Sequence, residues 1–224
     1  VAFSDANLSV ESGDVLTQGG VTATINRVVV ESGTLTSGTN TGRLIITAPA
    51  GGAFAAGAAT STGAGALTLS GAHSAVTLPG GRLDHVVYNF TGSKDNERIY
   101  CADGVNFGFE FDGTVYVPLN HGTTSYYPKH IAIHRNHLFL SMYSSLMHSA
   151  IADPYNFTVI AGAAEIAVGD EITGLLNQPG SQSSDALAVY SKDNTFMIYG
   201  TSSTGSNPWN VTTYNRGTGA RHYT

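Results

Sequence analysis

PKHIAIHRNHLFLSMYSSLMHSAIADPYNF, from Pro128 to Phe157, holds two apolar runs divided by the polar pair Arg135-Asn136. With that pair as a two-residue turn, His134 faces His137, Ile133 faces Leu138, Ala132 faces Phe139 and Ile131 faces Leu140. One face of the hairpin is then Ile131, Ile133, Leu138 and Leu140. The other carries His130, Ala132, His134, His137 and Phe139, so both faces are largely apolar, as expected of strands packed between two neighbouring layers.

The same sequence of strand, polar turn and strand is read twice more, in HVVYNFTGSKDNERIYCA (His85 to Ala102) and ALAVYSKDNTFMIYG (Ala186 to Gly200). Ser-Lys-Asp-Asn occurs in both, at Ser93 to Asn96 and Ser191 to Asn194. Further strands are expected after the first hairpin in GFEF and TVYV, joined by the turn signal Asp112-Gly113. After the second they are expected in SSLMHSA and in FTVIAG with AAEIAV. Four strands in each unit of roughly 45 to 55 residues is the pattern of propeller blades. About three units are counted, whereas propellers close with about four to eight, so an incomplete ring is expected: either its remainder lies in another chain or in a missing part of this one, or the units stack as an open sheet assembly.

Outside the repeats the texture changes. From Val1 to about Pro79 the chain is rich in Gly, Ala and Thr, and Phe3 and Phe54 are the aromatic exceptions. VTATINRVVV (Val21 to Val30), GRLIIT (Gly42 to Thr47) and ALTLS (Ala66 to Ser70) read as strands of a small barrel or sandwich. GGAFAAGAATSTGAGA (Gly51 to Ala66), poor in bulky side chains, reads as a flexible loop or extended arm. The expected organisation is therefore all-β: residues 1–79 a small barrel- or sandwich-like domain, residues 80–224 a propeller-like domain. The boundary is the turn-rich Leu78-Pro79-Gly80-Gly81.

Charge and composition narrow the function. A net charge of -6 with only ten basic residues, scattered along the chain, argues against a protein that grips phosphate backbones, and is compatible with nucleic acid sliding past. Cys101 is the only cysteine, so neither an internal disulfide nor a cysteine zinc site is available. No run of about eighteen apolar residues suggests a membrane-spanning segment. There is no GxxxxGK[ST] and no GxGxxG between strand and helix, so no cofactor is expected. His130 and His134 lie about 13 Å apart along one strand, too far to share an ion; His134 and His137 could form a pair, but a third ligand would have to come from elsewhere, and no metal is expected. The chain begins at Val1 without an initiator methionine, which is read as a processed product or a part of a longer polypeptide.

The Pro128 to Phe157 segment also resembles a blade of the tail nozzle (tail tubular) proteins of short-tailed bacteriophages. The resemblance rests on Pro128 leading a strand, the Arg135-Asn136 turn, Leu138-Phe139-Leu140, Ser149, and the closing Asp153-Pro154-Tyr155-Asn156-Phe157. It implies a structural part of the virion tail, acting as a ring of subunits, usually six, that extends the DNA-ejection channel. Genomic DNA would pass through without sequence-specific binding, and other tail proteins such as the adaptor and fibres would be neighbours. Pro128, Arg135, Asn136, Ser149, Asp153, Pro154, Asn156 and Phe157 are the residues expected to form this structural motif. Asp153-Pro154 suits a turn whose carboxylate caps nearby amides, Asn156 suits loop backbone groups, and Phe157 suits an anchor into the core.

Two other classes stand beside that reading. A glycan- or receptor-binding module could use Tyr116, Tyr126, Tyr127, Tyr143, Tyr155 and Trp209 as an aromatic platform. A sialidase-like hydrolase could use carboxylate pairs such as Glu110 with Asp112. Ser191 to Phe196 resembles an Asp-box but lacks its glycine and its closing Thr-Trp, and no catalytic residue is assigned.

Overall fold

The computed structural model describes residues 1–93, 96–123, 125–178, 185–202 and 206–221. They fall into two compact units, Val1–Val76 and Thr77–Thr224. The division lies three residues before the expected Pro79 to Gly80 boundary, within residues 70–83, which form no strand.

The first unit is a closed six-stranded antiparallel barrel. Its strands are β1 (Ala2–Ser4), β2 (Val15–Gln18), β3 (Val21–Thr34), β4 (Thr39–Ile46), β5 (Gly57–Ser61) and β6 (Gly65–Leu69), in the order β1-β4-β3-β2-β5-β6. Pairing of Phe3 with Leu69 closes the ring. Period-two alternation aims Phe3, Leu16, Ile25, Leu44, Leu67 and Leu69 at the interior. Two register shifts bend the long β3, one between Ile25 and Arg27 and one between Val30 and Ser32. Gly42 permits a close approach of β4 to β3, since a Cβ there would stand 2.0 Å from the Val29 carbonyl oxygen.

The stretch Gly51 to Ala66 corrects the expectation of a loose arm. It contributes β5, which pairs on both sides with β2 and β6, and it buries Phe54 and Ala59 in the barrel core. Ladder hydrogen bonds satisfy the backbone whatever the side-chain bulk, and small residues fit the seam where Ala59 and Ser61 point inward. One buried polar side chain ties the N-terminal segment down. Asn40 donates to the Ala6 carbonyl at 2.7 Å and to the Thr34 carbonyl at 3.1 Å, and its Oδ1 accepts from the Ala6 amide at 3.1 Å.

The second unit holds three four-stranded antiparallel sheets, each with its strands in sequential order. The first is β7 (Asp84–Tyr88), β8 (Arg98–Ala102), β9 (Phe109–Phe111) and β10 (Tyr116–Pro118). The second is β11 (Ile131–His134), β12 (His137–Met142), β13 (Ser145–His148) and β14 (Ala164–Ala167). The third is β15 (Ile172–Asn177), β16 (Leu187–Ser191), β17 (Asn194–Tyr199) and β18 (Asn210–Arg216). The protein is thus all-β, with propeller-like blades that do not complete a ring.

The middle sheet is covered on both faces. Ile131, Ile133, Leu138 and Leu140 pack with Val86, Tyr88 and Tyr100 of the first sheet. Ala132, Phe139 and Leu146 pack with Leu187, Val189, Phe196 and Ile198 of the third. The leading strand β11 lies beside both β7 and β15, so the first strand of every sheet gathers on one side of the array. The far face of the first sheet carries Val87, Ile99, Phe111 and Tyr116 in one cross-strand row, with Val87 and Ile99 50% and 38% exposed.

Three details differ from the sequence reading. The hairpin Ala186 to Gly200 forms the second and third strands of its sheet, because β15 precedes it; the other two hairpins form the first and second. The two Ser-Lys-Asp-Asn stretches are therefore not equivalent: Ser191 to Asn194 is a tight turn between β16 and β17, whereas Ser93 and Asn96 belong to the longer β7–β8 connection, whose Lys94 and Asp95 lie outside the described residues. FTVIAG contains a short 3-10 turn, Val159–Ala161, in place of a strand. Asp112-Gly113 starts a four-residue connection, since Phe111 pairs with Tyr116; Asp112 Oδ1 accepts from the Thr114 and Val115 amides, each at 2.7 Å.

Candidate functional site

The residues of the Pro128 to Phe157 motif are distributed around the middle sheet. Ile131–Leu140, Ala132–Phe139, Ile133–Leu138 and His134–His137 are paired as the sequence suggests. Arg135 and Asn136 both have positive φ, 50° and 61°, the geometry of a type I′ turn whose twist matches the flanking strands. Asparagine tolerates that region better than most residues. Asn136 also joins sheets: its Oδ1 accepts from the Tyr88 hydroxyl at 3.1 Å, and its carbonyl accepts from the Ala152 amide at 2.8 Å.

Ser149 is fully buried. Its amide donates to the Leu138 carbonyl, and its Oγ accepts from the Leu138 amide at 3.1 Å while donating to the Ala150 carbonyl at 2.9 Å. Ser141 repeats the arrangement with His130: its amide donates to the His130 carbonyl, and its Oγ accepts from the His130 amide at 2.9 Å. In each case a serine hydroxyl replaces a carbonyl where the strand ladder ends, so no buried amide is stranded.

The closing turn behaves likewise. Asp153 Oδ1 accepts from the Tyr155 amide at 3.2 Å, and burial raises its pKa. Asn156 Oδ1 accepts from the Thr158 amide and hydroxyl at 3.1 and 2.7 Å. Phe157 packs against the core shared with the first sheet, and the carbonyl of buried Pro128 accepts from the Gly104 amide at 2.8 Å. Pro154, also buried, continues the turn. The Tyr155 hydroxyl donates to Glu110 Oε2 at 2.9 Å, and Arg98 Nε lies 3.1 Å from Glu110 Oε1. Glu110 is thereby enclosed as a link between sheets, and Asp112 is taken up by its own turn, so this carboxylate pair does not converge on an open cleft.

The histidines form a packed cluster between the second and third sheets. His134, His137 and His148 surround Trp209, with ring centroids 5.9, 5.5 and 5.5 Å away. His137 Nδ1–H and His148 Nδ1–H both donate to the Ser149 carbonyl, at 2.7 and 2.9 Å. His134 Nδ1–H donates to Asn177 Oδ1 at 2.8 Å. Burial lowers the pKa of all three, that of His148 to about 4, so they pack as neutral rings. Among the described residues no group of three His, Cys, Asp or Glu side chains is placed to hold a metal ion.

On the side where the leading strands gather, a groove of about 780 Å³ runs past Asp84, Tyr88, Arg135, Asn177 and Asp185. One cationic side chain stands there against two carboxylates. Burial opposes ionisation of Asp84, but hydrogen bonds from the His130 ring and the Ile131 amide outweigh it and hold the carboxyl below its usual range.

The six aromatic residues considered for a platform do not assemble into one surface. Trp209 is in the histidine cluster, Tyr155 points at Glu110, and Tyr116 packs on Phe109 at 4.5 Å. Tyr126 and Tyr143 do come together, their rings 5.7 Å apart and 13° from parallel, beside Tyr127. The sequence offers little signal for the serine closures or the Asp84–His130 pair, because their partners lie in different strands or sheets. No family model, curated protein or solved structure matches this chain.

Proposed function

We propose that this chain is a structural component of a bacteriophage virion, forming part of a tail nozzle and its DNA-ejection channel by assembly of subunits into a ring. One observation carries the reading: the motif residues Asn136, Ser149 and Asp153 are spent on fixing a blade and joining it to its neighbours, while the array keeps an open apolar end at Val87 and Ile99. An end of that kind suits contact with further protein. The acidic balance of the chain suits a channel past which a phosphate backbone moves without being held. Adaptor and fibre proteins would be the neighbours.

Sedimentation velocity over a range of protein concentrations tests this. The native protein should assemble, and Val87→Lys with Ile99→Lys should reduce assembly at least tenfold without unfolding the monomer. A native protein that remains monomeric at every concentration would overturn the proposal.

A further inference from the structure

Tyr143 occupies a position that its turn reserves for another residue. Met142 pairs with Ser145, so Tyr143-Ser144 is the two-residue connection between β12 and β13. Tyr143 has φ 64°, while Ser144 is not among the positive-φ residues, which is the pattern of a type II′ turn with glycine preferred at its first central position. A bulky side chain there costs stability, and such strain gathers at functional positions. The turn is also firmly held. The Tyr143 carbonyl accepts from the Ile172 amide at 2.8 Å, and the Ser144 carbonyl accepts from the Val168 and Gly169 amides at 3.0 Å each.

The strained position presents an aromatic ring to solvent. Tyr143 is 52% exposed and Tyr126, stacked on it, is 53% exposed. The pair lines a cavity of about 170 Å³ with Lys129 and Glu171, whose Nζ and Oε1 lie 2.9 Å apart. This volume is below the roughly 300 to 1,000 Å³ of sites for drug-sized ligands, so it suits one small ring.

We propose that Tyr126 and Tyr143 form a stacking subsite for one neutral sugar residue of a glycan. A pyranose has an apolar C–H face for the tyrosine rings, and hydroxyls that accept from the Lys129 ammonium and donate to the Glu171 carboxylate. The single cation is balanced by the single carboxylate, which disfavours phosphate or another anion. A platform fixed before binding loses little freedom when the ligand arrives. The subsite goes beyond the ring-assembly reading and does not depend on it.

The test is a calorimetric and NMR titration of the purified 224-residue protein with methyl glucoside, lactose, maltotriose, cellotriose and chitotriose. At least one should bind and shift the Tyr126 and Tyr143 ring signals. Tyr126→Ala and Tyr143→Gly should each weaken that binding at least tenfold, with Tyr143→Gly melting above the native protein because the strain is relieved. Tyr214→Ala, an exposed tyrosine elsewhere, should leave binding unchanged. The proposal is overturned if none of the five sugars binds, or if binding survives both site variants. Should Tyr143→Gly fail to fold, Tyr126→Ala alone decides. Loss of ring assembly in sedimentation would leave this result standing.

Discussion

The Trp209 indole Nε1–H donates to His148 Nε2 at 2.9 Å, across the boundary between the second and third sheets. Because His148 Nδ1–H donates to the Ser149 carbonyl, the ring accepts on one nitrogen and donates on the other, so the arrangement requires its neutral form. Trp209 is the only tryptophan in the chain, which makes its fluorescence a direct report on this contact.

Acid should weaken the fold in a defined window. Burial depresses His148 and His121 from 6.5 to about 4, so between those values the unfolded chain binds more protons than the folded one. Stability from these groups is present above about pH 6.5 and is lost as pH falls towards 4. The depressed carboxyls Asp84 and Asp103 act in the same direction, but only below their ordinary 3.8. Urea titrations followed by Trp209 emission should therefore show a fall, on the order of 1–3 kcal/mol, before the carboxylates titrate. A flat stability profile above pH 4 would contradict this.

Trp209→Phe keeps an aromatic ring in the cluster but removes the donor to His148. An expected loss of about 1–3 kcal/mol follows from withdrawing the partner of a buried polar atom. Denaturant unfolding followed by circular dichroism measures it.

His121→Phe should have the opposite sign. Neither ring nitrogen of His121 has a hydrogen-bond partner among the described residues, and the ring lies 5.0 Å from Phe107. Replacing a buried, unpaired polar ring by an apolar one of similar shape should add about 1 kcal/mol and remove part of the acid sensitivity. Thermal and urea unfolding of the variant against pH test both effects.

The I′ turn should respond asymmetrically. Asn136→Ala places a less suitable residue at positive φ and deletes the acceptor of the Tyr88 hydroxyl, and should cost about 1–2 kcal/mol. Arg135→Gly should be neutral or stabilising by under about 1 kcal/mol, since it removes strain and, among the described residues, only a 3.3 Å bond to the Asp185 carbonyl. Equal effects in the two unfolding curves would show that turn geometry does not govern this hairpin.

Cys101 should be inert in the folded protein. It is buried, and burial, with the nearby Asp84 charge, pushes its thiol up to about 11. Alkylation by iodoacetamide at neutral pH should run at least roughly 100-fold slower in buffer than in strong denaturant.

Local patterns were legible in the sequence, and long-range ones were not. The Ile131 to Leu140 register followed from alternation and a turn that tolerates positive φ. The repeated Ser-Lys-Asp-Asn misled, because four turn-forming letters suit any hairpin and carry no record of its place in a sheet. Gly51 to Ala66 was misread because strand propensity tracks side-chain bulk, whereas β5 is held by ladders on both sides. Tyr143 gave no sign of its strained position, since the turn type is set by the strands around it.

Electron microscopy of the purified, concentrated protein tests ring assembly most directly. Class averages should show closed rings of identical subunits around an open centre, and these should disappear with Val87→Lys and Ile99→Lys. A field of monodisperse single subunits, unchanged by those substitutions, would contradict a role in forming a tail channel.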